Sequence, residues 1–266
     1  MEIGVSTATL FLREFNENAV KVLDEIDARV TEVFLGSFRE YKNSFAELIK
    51  SNLGNLKVHS VHTLNTHFEP QLFTVNERAK ADAVAIFEEV LGSAKILGAK
   101  NYTMHGLIKF KRGVRFDKYA DYASVFNQLC DLTEKYGVEL TLENVEWALY
   151  NQVGFFRCVK PLVKNLKTCL DVKQARISGY DYRDYLDEMG ETVNTVHLSD
   201  VDDLEKVVLP GKGNFDFKEL FSRLKDKGFK GNMFIEVYKE SFNDYDELKQ
   251  SLEFLRNIKY EVFGNE

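Results

Sequence analysis

Two rhythms of apolar and polar positions alternate along this chain. Short runs with apolar residues at every second position, rich in β-branched side chains, give way to longer stretches with apolar residues three and four apart. The first rhythm marks strands and the second amphipathic helices. It predicts strands at 1–6, 30–35, 56–62, 101–105, 138–143, 167–171, 193–197 and 232–237. It predicts helices at 16–26, 45–53, 77–97, 117–136, 155–163, around 183–189, 217–227 and 247–258, with Gly98, Gly137, Gly190 and Gly228 at helix stops. Eight strand–helix pairs in 266 residues, at a mean of about 33 residues each, predict an α/β fold, a closed (β/α)8 TIM barrel. The competing doubly wound open sheet announces itself with a glycine-rich turn after its first strand. Ser6-Thr7-Ala8-Thr9 offers none. With three prolines and no Ser/Gly-rich linker, a single domain over 1–266 is expected.

Four consecutive strands end alike. Leu140-Thr141-Leu142-Glu143, Thr168-Cys169-Leu170-Asp171, Val193 to His197 and Met233-Phe234-Ile235-Glu236 each finish on a carboxylate or an imidazole. Side chains two apart on a strand share a face. Glu143, Asp171, His197 and Glu236 are therefore expected to point inward, while Leu142, Leu170, Val196 and Ile235 face the helices. In a TIM barrel the strand ends deliver such residues to one mouth. Three carboxylates crowded without a cation repel one another strongly, and an imidazole with carboxylate oxygens suits one divalent ion: Mn²⁺, Co²⁺, Mg²⁺ or Zn²⁺. The bland alternative is that each acid caps a helix or pairs with a lysine. By the same parity His62 and His105, closing strands three and four, face the pocket from the other side, and His59 is expected to face the helix layer. Trp147 and Tyr150, just after Glu143, are read either as an apolar wall over a substrate or as an interface.

Composition narrows the field. An apolar fraction of 44%, a charged fraction of 29% and a net charge of −7, with a pI near 5.4, disfavour a non-specific polyanion binder. The one local basic run is Lys109-Phe110-Lys111-Arg112, read by default as a solvated loop. Cys130, Cys158 and Cys169 show no metal-binding spacing and are expected as small buried thiols in a reducing compartment. No leader-like start and no long apolar run are seen, so a cytoplasmic protein without a membrane span is expected.

Taken in order, Val61-His62, Met104-His105-Gly106, Leu142-Glu143-Asn144, Cys169-Leu170-Asp171, Val196-His197-Leu198-Ser199-Asp200, Gly211-Lys212-Gly213 and Phe234-Ile235-Glu236-Val237 resemble the xylose isomerase-like TIM-barrel superfamily. That group holds endonuclease IV, ketose 3-epimerases, hydroxypyruvate isomerase and inosose dehydratase. The resemblance implies that Glu143, Asp171, His197 and Glu236 hold a single metal that acts as a Lewis acid on a ketose. It also implies that Glu143 and Glu236 move the proton through an enediolate; beside them, His62, His105, Gln174, Trp147 and Lys212 are expected to contact the substrate. Two departures stand out. Gln174 occupies the place where many members have a histidine after the strand-six aspartate, and Val207 the place where members carry an arginine or histidine before the Gly-x-Gly turn. Losing both histidines removes ligands of a trinuclear zinc site and disfavours a DNA-repair nuclease; Lys173, Lys206 or Lys212 can supply replacement charge.

The resulting expectation is a metal-dependent isomerase or epimerase acting on a sugar, sugar acid or polyol ketone. An inosose dehydratase-like lyase is the alternative, followed by an apurinic-site endonuclease or a non-catalytic sugar-binding member. The expected partner is a small-molecule sugar or polyol, with self-association through barrel helices open.

Overall fold

In a computed structural model, described over residues 1–64, 67–108 and 118–264, eight parallel strands close into a barrel. They are β1 (Ile3–Ser6), β2 (Val30–Leu35), β3 (Lys57–Thr63), β4 (Asn101–Met104), β5 (Glu139–Glu143), β6 (Lys167–Asp171), β7 (Val193–Leu198) and β10 (Asn232–Ile235). Each pairs with its neighbour in chain order, and β10 closes onto β1. The predicted (β/α)8 barrel is thus the observed fold. Between β7 and the helix predicted at 217–227, where no element was expected, β8 (Asp200–Val201) and β9 (Val207–Val208) form a small antiparallel hairpin. Asp200 organises the turn beyond it, accepting hydrogen bonds from the backbone N–H of Gly211, Gly213 and Phe215. Gly213 is required there, because a Cβ would lie 2.2 Å from the Val201 carbonyl oxygen.

The outer layer contains α1 (Asn16–Glu25), α2 (Asn43–Ser51), α3 (Glu77–Leu97), α4 (Tyr119–Glu134), α5 (Phe155–Val159), α6 (Val172–Ile177), α7 (Tyr182–Met189), α8 (Phe217–Asp226) and α9 (Tyr245–Phe263). Helix α3 matches its predicted span, starting at the Asn76 side chain, which accepts from the N–H of Arg78 and Ala79, and stopping at Gly98 with φ 77°. That left-handed turn favours glycine. The short helix α6 was not expected; the Asp171 side chain caps it by accepting from the N–H of Gln174. Spacing alone hides a single turn begun by a strand-end aspartate. The packing follows the apolar stripe: on α8, Phe217, Leu220, Phe221 and Leu224 are all buried, each contributing roughly 1.5–3 kcal/mol by burial. No described helix is long and apolar enough to cross a membrane. The basic run at 109–112 lies outside the described residues. Cys169 is buried and Cys130 half-buried, but Cys158 is exposed, contrary to expectation.

Alternation places Leu142, Leu170, Val196 and Ile235 in the apolar core, as expected. One parity expectation fails. His59 does not face the helices: its ring touches Thr195, Asn101 and Asn232 at 2.9–3.2 Å inside the barrel. The cause is a bulge in the β2–β3 pairing, where Thr31 pairs with Val58 but Glu32 with Ser60. His59 is the extra residue, so it and Ser60 both turn inward. An equivalent shift between β6 and β7 turns Asn194 inward, where it bonds Asn101 and Thr141. These residues, at the beginnings of their strands, build a polar floor beneath the site.

Candidate metal centre and active site

At the opposite end of the strands the four expected residues converge. Glu143 and Asp171 terminate β5 and β6, His197 lies one residue before the end of β7, and Glu236 directly follows β10. His197 Nδ1 lies 3.4 Å from Glu143 Oε1, 3.5 Å from Glu236 Oε2 and 3.8 Å from Asp171 Oδ2. Donor atoms of all four fall within 4.8 Å of one another. Around an ion with ~2.1 Å bonds, neighbouring ligand atoms sit about 3–3.5 Å apart, so slight contraction would suffice. Among the described residues, Glu143 Oε2, Asp171 Oδ2, His197 Nδ1 and Glu236 Oε2 are buried without a hydrogen-bond partner. Buried acceptors are seldom left so. Asp171 Oδ2, His197 Nδ1 and Glu236 Oε2 face one another, whereas Glu143 presents Oε1 to His197 and turns its orphan Oε2 toward His105 Nε2 at 3.6 Å; the four residues fit a single divalent ion.

The histidines stand beside this cluster. His62, in β3, and His105, just after β4, approach Nε2 to Nε2 at 2.7 Å. They line a cavity of about 200 Å³ with Phe34, Glu143, Trp147, Lys173, Gln174, Glu236 and Tyr238. Trp147 packs its ring 5.2 Å from that of His105. Gln174 lines the same cavity, although its Oε1 already accepts from the N–H of Glu146 at 3.1 Å.

Other expected residues fall elsewhere. Tyr150 is completely buried and stacks on Phe156; it is neither wall nor surface, because the loop after β5 folds it into the outer core. Lys212 is exposed in the turn after β9 and is absent from the cavity lining, as is the exposed Lys206. Among the described residues, the lysine that enters the site is Lys173. Its buried Nζ lies 3.6 Å from both Asp171 Oδ2 and Glu236 Oε1 and 5.0 Å from the centre of the Tyr238 ring.

Two buried glutamates that support this site were not expected from the sequence. Glu32, in β2, is wholly inaccessible. Its Oε1 meets His197 Nε2 at 2.9 Å and His62 Nδ1 at 3.2 Å, and its Oε2 accepts from Ser60 and Thr103. Glu69 accepts from the N–H groups of His105 and Gly106 and from the Tyr102 hydroxyl. A lone carboxylate inside Val-Thr-Glu-Val-Phe-Leu was a usable signal, since strands of a parallel barrel are buried on both faces. Glu69 gave none, lying at the start of a short 3-10 helix, Glu69–Phe73, between β3 and α3.

Charges are set by this neighbourhood. Burial opposes the charge on His62, but Glu32, Glu143 and Glu236 outweigh it and raise its pKa to about 9. Asp171 is likewise penalised by burial yet held down at about 2 by Lys173 and His197. Lys173 is pushed above its ordinary value by Asp171 and Glu236, against the effect of burial.

A family model for the xylose isomerase-like TIM barrel matches residues 18–258. This chain belongs to that family. Inosose isomerase from Bacillus licheniformis is 23% identical over 178 residues, a match covering 63% of this chain and 64% of that enzyme. The chain thus spans just under two thirds of the length of that curated relative. Among solved structures, the IolI protein with a bound zinc atom superposes with a TM-score of 0.78 at 20% identity, covering 99% of each chain. D-psicose 3-epimerase in the presence of D-fructose superposes with a TM-score of 0.77 at 15% identity over all of both chains. At such identities the structural likeness establishes the shared fold.

Proposed function

We propose that this protein is a divalent-metal-dependent isomerase or epimerase of a sugar, sugar acid or polyol ketone. The observation that carries the reading is that donor atoms of Glu143, Asp171, His197 and Glu236 lie within 4.8 Å of one another, and that each of these side chains keeps a buried atom without a hydrogen-bond partner. Those residues would hold a single ion, which supplies Lewis-acid polarisation of a substrate carbonyl when bound. Glu143 and Glu236 then serve as the acid–base pair. They come from strands separated by β6 and β7, so they reach the substrate space from two sides. One takes the proton beside the carbonyl and the other returns it, passing through an enediolate. The Lys173 ammonium and the His62 imidazolium line the same cavity and offset the negative charge that develops. Trp147 and Phe34 provide apolar walls, and Gln174 and His105 polar ones.

The named relatives, an inosose isomerase and a D-psicose 3-epimerase, support isomerisation or epimerisation over the lyase alternative. The test is metal analysis of the purified protein, followed by solvent-deuterium incorporation over a panel of ketoses and inososes. Exchange at the carbon beside the carbonyl, abolished by chelation, is expected. A protein that takes up no divalent ion, or one whose exchange survives Glu143→Gln, would sink the reading.

A further inference from the structure

We infer that Glu32 is the positioning residue of this site: one buried carboxylate turns His197 so that Nδ1 faces the acidic cluster, and anchors His62 beside it. A carboxylate can only accept hydrogen bonds. The His197 nitrogen at 2.9 Å from Glu32 must therefore carry the proton, which leaves Nδ1 as the nitrogen presented to Glu143, Asp171 and Glu236. Rotating the ring by half a turn would break that bond and withdraw Nδ1 from the cluster.

Glu32 is itself fixed. Ser60 and Thr103 donate to its second oxygen at 2.6 and 2.5 Å, and His62 donates to the first. His62 in turn touches His105. One side chain thus ties the proposed metal histidine to the histidine pair on the cavity wall.

Packing alone does not explain this residue. A carboxylate with no solvent exposure carries a large desolvation penalty, and well-packed apolar replacements of buried ionic groups are often neutral or stabilising. A partner on the outer nitrogen of a metal-binding histidine fixes its tautomer and orientation. That role accounts for both the charge and its place.

The decisive variant is Glu32→Met, which keeps volume and removes both acceptors, with Glu32→Gln as partial rescue. Mn²⁺ affinity is read by calorimetry, and the ring N–H protons by NMR, where only five histidines need assigning. In the wild type a slowly exchanging Nε2–H of His197 is expected. In Glu32→Met that signal is lost and Mn²⁺ binds about 10- to 100-fold more weakly; Glu32→Gln falls between. Ser93→Ala, which removes a remote buried hydrogen bond to the Tyr41 carbonyl, controls for general destabilisation and keeps full affinity.

A folded Glu32→Met protein that holds Mn²⁺ within twofold of wild type overturns the inference. So does survival of the Nε2–H signal, or an equal loss in Ser93→Ala. If Glu32→Met does not fold, unchanged affinity in Glu32→Gln overturns it. The affinity arm rests on the metal reading proposed above, whereas the ring N–H arm does not. A wild-type protein without affinity for Mn²⁺, Co²⁺, Mg²⁺ or Zn²⁺ would therefore refute the metal and leave Glu32 to be judged on the proton signal.

Discussion

On strand β3, His59 and His62 stand three residues apart and both turn into the barrel, but they meet opposite surroundings. His59 belongs to the floor, among the amides of Asn101 and Asn232 and the hydroxyl of Thr195. Burial, aided by the nearby His197 and only partly opposed by Glu32, pushes its pKa down to about 4, so it stays neutral. His62 belongs to the mouth, against Glu32 and near Glu143 and Glu236, and is raised to about 9. The floor satisfies its polar groups with one another. At the mouth, Glu143, Asp171, His197 and Glu236 each keep a buried atom without a hydrogen-bond partner. Both regions are buried and polar, so burial of polar groups does not by itself identify a site; a cluster of side chains with ligand atoms within 4.8 Å of one another, each keeping an unpartnered buried atom, does.

If that contrast is right, damage to the two regions should separate cleanly. The largest effect is expected at the mouth: Glu143→Gln should cut turnover by about 10²–10⁴-fold while the melting temperature holds or rises, since one of three crowded carboxylates loses its charge. Steady-state kinetics with a thermal melt would show it, and a parallel collapse of stability would contradict the assignment. At the floor the pattern inverts. His59→Leu leaves Asn101, Asn232 and Thr195 short of a partner and should cost about 2–4 kcal/mol of stability, measured by urea titration, with the chemical step little changed.

Acid sharpens the same distinction. The unfolded chain protonates His59 near pH 6.5, whereas the fold resists until about pH 4. Between those values the unfolded state binds more protons, so stability should fall as pH falls through this window. The loss is about 3 kcal/mol in all, and His59→Leu should flatten that slope. His62 acts in the opposite sense: its contribution is present below pH 6.5 and is lost as pH rises through about 9. The smallest effect is ligand linkage. Saturation with Mn²⁺ at a hundred times its dissociation constant should add about 2.7 kcal/mol, removed by EDTA. The same increment should persist in His59→Leu and shrink in Asp171→Asn, as followed by differential scanning calorimetry.

Strand endings were legible because a two-residue period is a local property. Glu143, Asp171, His197 and Glu236 each follow an alternating run, so their direction could be read without knowing any neighbour. Parity failed at His59 because a bulge is defined by pairing: Thr31 with Val58 and Glu32 with Ser60 is a relation between two strands. Lys212 was placed by motif position, yet the turn held by Asp200 leaves it exposed. Lys173, weighed equally with two other lysines, is the one delivered to the cavity, because Asp171 caps a short helix that starts immediately and turns the next residues over the mouth.

The sequence by itself determined the barrel and the inward direction of its four acidic and imidazole strand ends, since hydrophobic period, helix stops and strand length are written residue by residue. Only the tertiary structure decided what surrounds those ends. Glu32 and Glu69 lie far from the groups they support, 165 residues separating Glu32 from His197 and 36 separating Glu69 from His105. Hydrogen bonds of that span exist only after the barrel closes. Closure also leaves His59 neutral and His62 charged, because a pKa answers to what lies across the barrel rather than to what lies along the chain.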